Sequence, residues 1–512
     1  MILAIAVVFI EFTDASCSCD DIIEGIYLSC NDRGLSSINF SDWTCQNQLN
    51  EIYWMDLSYN ELETLSFLAG FSFPNMSSLY IGNNKLSVFD TNATMPRLEF
   101  LICPSNHFAQ LNSFPTFENL FKFDLRFNLM SAVDANVING IAPNLAHLFF
   151  DGNPLTQIWN AFDLPNLRIL HLVDNNLASL EFFDSGNITN LQELSLDGNL
   201  LTSLDTESVF PFLKEVSIRN NLLSMIDFEM LTLQMPQLQK LKLSKNKLAL
   251  VKGLTDSSLL FLEELALDNN QLNNLPGITT AFLPRLKSIE CWENSFENMD
   301  FFSGGSFQQV EELFFEFNNL SNIEGVVQGR FSNLKYLGLL GNDPLNDLDI
   351  LSEYRSPNLV KLMVSPESVS GSSCKAFDFF RNFIVDDSTY RCTAAVFQYV
   401  EENDDYEQIV QGKCDLSGVS NTCAPTTASP SLSPTLAPST LAPSTLAPST
   451  LAPSSPTQDV SASSGLSIGA AVGVGLGSLV AGFAIASLLM ALLGFKKASS
   501  DALAIAKVES TI

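Results

Sequence analysis

Few residues in this chain of 512 have the type and spacing to do chemistry. There are three histidines, ten cysteines and one Gly465-x-Ser467-x-Gly469, the nucleophile-elbow spacing that sets a reactive serine on a strand-to-helix turn. The elbow fails on context, because Ser467 opens a long apolar run instead of ending a strand. Three histidines are too few for a histidine-rich metal enzyme. Cys103 and Cys291 stand among apolar neighbours, which keep a thiol protonated and inert. The reading is therefore of a non-enzyme without cofactor or metal. The other eight cysteines form two sets of four, Cys17, Cys19, Cys30 and Cys45, then Cys374, Cys392, Cys414 and Cys423. Even sets in an oxidising compartment fit two disulfides each, with three connectivities open per set, and neither set has a C-x-x-C zinc spacing.

The flanking segments supply that compartment. Residues 2–10 are an uninterrupted apolar run followed by small and polar residues, which reads as a signal peptide over 1–15. Residues 466–495 carry no charge and are longer than the roughly 20 residues a bilayer core needs, so 465–495 is expected to be a transmembrane helix. Lys496 and Lys497 follow it, placing a tail of 496–512 in the cytoplasm and the rest outside, a type I single-pass topology at the plasma membrane. Residues 424–464 shift to Pro, Ser, Thr and Ala, with Leu-Ala-Pro-Ser-Thr starting at Leu436, Leu441 and Leu446, an extended stalk with candidate O-linked sugars. Gly465, Gly469, Gly473 and Gly477 make overlapping G-x-x-x-G units for helix self-association into a homo-dimer. The terminal Ser510-Thr511-Ile512 matches the pattern PDZ domains read.

With 26 basic against 57 acidic residues and a net charge of −31, the chain repels phosphate, so no nucleic-acid partner is expected. At 46% hydrophobic and 16% charged it can bury a large core. How it does so is written in asparagine. Asn60, Asn84, Asn106, Asn128, Asn153, Asn175, Asn199, Asn221, Asn246, Asn270, Asn294, Asn318 and Asn342 follow one another at steps of 22 to 25. Eight, five and three residues before each, all 39 positions are apolar, counting cysteine, as in Leu191-x-x-Leu194-x-Leu196-x-x-Asn199-x-Leu201. A last strand, Leu359-x-x-Leu362-x-Val364, lacks the asparagine, and in the thirteenth repeat Pro344 displaces the following apolar residue to Leu345.

This pattern resembles the leucine-rich repeat family from Ile52 to Leu345. The resemblance implies an α/β solenoid of about 14 repeats, a curved horseshoe with a parallel sheet on its concave face, spanning 52–367 between cysteine caps at 16–51 and 368–423. Cys17-x-Cys19 with Cys30 resembles part of the family's N-terminal cap; the family's leading cysteine is absent, and the second set lacks its C-x-C start. The asparagine is expected to bend the chain and to satisfy backbone groups of its own and the next turn.

Residues six and four before each asparagine then point out of the sheet as two columns. In the first six repeats they include Trp54, Tyr80, Phe100, Ile102, His147, Phe149, Ile169 and His171, interrupted by Asp56, Ser78, Lys122 and Asp124. Later repeats carry Glu193, Glu215, Lys240, Lys242, Glu264, Glu290 and Glu312, where Lys240 and its neighbours read as an ion-pair ladder. An exposed aromatic row favours an extracellular protein or glycan ligand. His147 and His171 are diagonal on adjacent strands, near enough to share one ligand. Sequons stand at Asn39, Asn75, Asn92, Asn187 and Asn319. The sequence thus reads as a recognition or adhesion receptor without its own signalling domain, with a structural coat glycoprotein as the alternative.

Overall fold

The structure is a computed structural model that describes residues 17–364 except 19–20, 24–25, 40–45, 185, 256, 346–347, 349, 352–357 and 360. The signal peptide, Cys19, Cys45, the second cysteine set, the stalk, the glycine-marked apolar run and the tail lie outside the described residues. Among the described residues no helix is long and apolar enough to cross a membrane.

Each repeat contributes a three-residue strand centred five residues before its asparagine. Ile22–Ile23 and Tyr27–Ser29 pair antiparallel at the start, and Trp54–Asp56 adds in parallel to the second of them. One strand from each later repeat adds in parallel, through Lys361–Met363, to complete a sheet of sixteen, while Ala132–Asp134 pairs with Gln157–Trp159 and Met225–Asp227 with Leu250–Lys252 in two small parallel sheets apart from it. The register holds apolar centre against apolar centre, Leu170 with Leu194, Val216 and Leu241 in turn. Alternation then turns the flanking residues outward. All 39 apolar positions before the asparagines are at most 2% exposed. Each such leucine contributes about 1.5–3 kcal/mol of transfer free energy, so the leucine columns carry the stack. Leu345 is buried although it comes one residue late; its N–H turns back to the Asn342 carbonyl at 3.0 Å, absorbing the extra Pro344.

The strands stop because the residue before each asparagine is left-handed, with positive φ in all thirteen repeats, from Tyr59 to Gly341. Seven of these are Gly, Asn or Asp, the types that tolerate such a φ. The turn aims the asparagine carboxamide back into the stack. Asn199 Nδ2 donates to the carbonyls of Leu196 at 3.0 Å and Leu172 at 2.8 Å, while its Oδ1 accepts from the Leu177 N–H at 2.9 Å. Asn84 and Asn342 repeat this scheme. The partners belong to the asparagine's own turn and the preceding one, so the expectation of the next turn is corrected: the side chain leaves the end of the strand pointing toward the earlier repeat.

Opposite the sheet, the segments without leucine periodicity are filled by phenylalanine. Phe183 meets Phe210 edge-on at 5.3 Å, and Phe307 stacks on Phe331 at 4.7 Å. Among the described residues three turns build short α-helices, Ala135–Ile141, Phe228–Gln234 and Glu324–Gln328, and the first two are capped by the Asp134 and Asp227 carboxylates. At the start of the solenoid a Cys17–Cys30 disulfide, Cα atoms 5.5 Å apart, covers the first turn. Cys103 and Cys291 are free and fully buried, and burial pushes both thiols well above their usual range.

Candidate functional site

The outward columns of the first repeats form a near-continuous aromatic face. Trp54 lies between Tyr27, edge-on at 5.3 Å, and Tyr80, stacked at 4.9 Å and 16°. Further on, Phe100 meets Phe121 at 6.0 Å, Phe121 meets His147 at 4.6 Å, and Phe149 meets both His147 and His171, at 6.5 and 4.9 Å. The structure thus places Trp54, Tyr80, Phe100, Ile102, His147, Phe149, Ile169 and His171 on one face, all half-buried because each leans on its neighbours. Ile102 and Ile169 fill the sheet positions beside Tyr80 and His147.

Two members were not foreseen from the sequence. Tyr27 belongs to the cap strand, before the asparagine ruler starts. Phe121 sits seven residues before Asn128, a position that is charged or polar in most repeats, and that departure was the available signal. Lys122 and Asp124, first read as interruptions, belong to the face. Lys122 Nζ lies 5.0 Å from the Phe149 ring centre, and the Arg126 guanidinium lies 5.5 Å from it. Arg126 is held there by the buried Asp124 carboxylate, Nη2 to Oδ2 at 2.6 Å and Nε to Oδ1 at 2.9 Å.

The histidines do not form a common ligand set. The Phe149 ring contacts both, and His171 is engaged elsewhere, Nε2 at 2.8 Å from Glu193 Oε1 and Nδ1 at 3.9 Å from Asp151. The hydrogen bond from His171 holds Glu193 below the usual carboxylate range. Burial, with Lys122 and Arg168 nearby, lowers His147 to about 4, so it stays neutral at physiological pH. Among the described residues, neither histidine joins a group of three potential metal ligands.

Past His171 the face becomes charged. Lys242 Nζ meets Glu215 at 2.5 Å, and Lys240 bridges Glu215 and Glu264 at 3.9 Å each, an ion-pair ladder as anticipated. Of the sequons, Asn39, Asn92, Asn187 and Asn319 are exposed and Asn75 is half-exposed.

The repeated strand, the left-handed turn and the asparagine ladder define a leucine-rich repeat solenoid. No family model matches the chain. It is 30% identical to rat (Rattus norvegicus) lumican over 174 residues, 31% of this chain and 47% of lumican. It is 25% identical over 258 residues to human leucine-rich repeats and immunoglobulin-like domains protein 1, covering 49% of this chain and 18% of that protein. The chain therefore spans less than half the length of either relative. Among solved structures, a leucine-rich repeat protein of Leptospira interrogans matches with a TM-score of 0.46 at 20% identity, over 70% of this chain and 93% of that one.

Proposed function

We propose that this chain is a cell-surface recognition or adhesion receptor that binds an extracellular protein or glycan on its aromatic sheet face. The observation that carries the reading is the run from Tyr27 to His171, with two cations held over Phe149. Aromatic and arginine side chains gathered on one accessible face are the residue types that dominate binding hot spots. The names of the two relatives, a lumican and a repeat protein with immunoglobulin-like domains, accord with an extracellular setting. In this reading residues 465–495 anchor the chain as a type I protein, Gly465, Gly469, Gly473 and Gly477 pair two copies, and Ser510-Thr511-Ile512 recruits a PDZ partner. Asn39, Asn75, Asn92, Asn187 and Asn319 carry sugars, and the cysteines outside the described residues close the caps.

A coat glycoprotein without a dedicated ligand is the second reading, favoured by the mutual stacking that leaves the face only half-exposed. Cells displaying the full chain, probed with an array of secreted proteins and glycans, separate the two. Saturable binding lost with Phe100→Glu/Phe149→Glu supports the receptor. Binding untouched by that pair, or none across the array, transfers the weight to the coat.

A further inference from the structure

Beyond the aromatic face, the two outward columns carry Glu264, Ser288 and Glu312 in one and Ala266, Glu290 and Phe314 in the other, register-paired strand to strand. Ser288 is the short side chain between two glutamates. It is only 8% exposed, and its Oγ has no hydrogen-bond partner. Leaving a buried hydroxyl unpaired is costly, so the position calls for a hydrogen-bond partner that its neighbours do not supply. The charges around it are only partly answered, by Arg219 acting on Glu290 and Lys361 on Glu312 from beyond contact distance. Among the described residues Glu290 and Glu312 form no ion pair within 4.0 Å, and Glu264 has only the half-exposed Lys240 at 3.9 Å. Burial, then Asp268 and Glu264 beside it, raise Glu290 to about 7 against the weaker opposing pull of Arg219, and a closer counter-cation would relieve it.

The missing group is larger than a metal ion. Calcium holds its oxygen ligands at about 2.3–2.6 Å, so three of them must approach one another closely. No three of these carboxylates bring ligand atoms within 4.8 Å of one another. A guanidinium, planar with five N–H donors, reaches acceptors that are further apart and offers one to a hydroxyl as well.

We propose that Glu264, Ser288, Glu290 and Glu312 form an acceptor site for an arginine side chain on a basic protein partner. The site lies on the charged half of the same sheet face and is independent of the aromatic half.

The test titrates the full chain, held in a neutral detergent, with octa-arginine and octa-lysine peptides. Octa-arginine binds more tightly than octa-lysine, and Glu290→Gln/Glu312→Gln weakens it about tenfold, or about 1.4 kcal/mol. At pH 8, where Glu290 is ionised, the remote pair Glu118→Gln/Glu207→Gln, which removes equal charge, changes it less than about twofold, and Ser288→Ala, which removes none, weakens it about threefold. Glu312→Gln alone, at an exposed position, retains the fold and shows a smaller loss in the same direction. Equal losses in the two double variants, no preference for arginine, or an unaffected Ser288→Ala chain would each overturn the proposal in favour of diffuse attraction. Saturable stabilisation by calcium alone, lost in Glu290→Gln/Glu312→Gln, would overturn it in favour of a metal.

Discussion

The Phe127 ring lies against Gly152 so closely that a Cβ on the glycine would stand 2.3 Å from Phe127 Cδ1. Both residues precede their asparagine with positive φ, 54° and 65°, so a bulky side chain in the costly left-handed region rests on the bare backbone of the next repeat. Phe317 and Gly341 repeat the arrangement, with 2.5 Å between the same atoms. Gly152→Ala is therefore expected to lower stability by about 2–4 kcal/mol, combining left-handed strain with overpacking. Gly140→Ala, in the helix Ala135–Ile141 with nothing within 4 Å, is expected to raise it by about 0.5–1 kcal/mol. Urea midpoints of the two variants check the pair, and loss of stability in both would contradict the assignment.

The asparagine ladder carries its own prediction. Asn199→Ala leaves the Leu172 carbonyl and the Leu177 N–H without the partners they now have, at about 1–3 kcal/mol for each buried group. Asn176→Ala, one residue after a ladder asparagine and exposed, is expected to stay within about 0.5 kcal/mol. Thermal unfolding of the two variants decides; equal midpoints would mean that the carboxamide bonds add nothing beyond burial.

Two titrations on the sheet face tilt stability in opposite directions with pH. His147 is lowered to about 4 by burial, so between its ordinary value of 6.5 and 4 the unfolded chain takes up the proton first and stability falls as pH falls. Glu290 is raised from 4.5 to about 7, so its contribution is complete below 4.5 and is lost as pH rises toward 7. His147→Phe should flatten the acid-side slope. Glu290→Gln should raise the unfolding midpoint at pH 8 relative to pH 4, and a uniform offset across pH for either variant would rule out the titration.

Cys103 and Cys291 are predicted to resist alkylation in the folded chain, since both are buried and their thiols are shifted upward. Iodoacetamide followed by peptide mass analysis should label them only after unfolding. Rapid native labelling of Cys103 would show that its repeat opens readily.

Sequence alone determined the repeat and much of its logic. Leucines at fixed distances before each asparagine define which side of a short strand is buried, because alternation along a strand is set by covalent geometry. The left-handed turn was only partly legible: seven of the thirteen residues just before the ladder are Gly, Asn or Asp, a signal the spacing alone did not bring out. The ion-pair ladder was legible, since Glu215, Lys240 and Glu264 occupy equivalent positions in successive repeats. Tertiary structure decided what depends on side chains meeting across repeats. Periodicity places Phe149 beside His171 but does not say that His171 turns to Glu193, nor that Lys122 and Arg126 gather over Phe149. It places Ser288 between two glutamates without revealing that its hydroxyl is buried and unpaired. Spacing specifies the backbone direction of each side chain; rotamers, burial and the reach of long charged groups settle which partner each one finds, and those are properties of the packed stack.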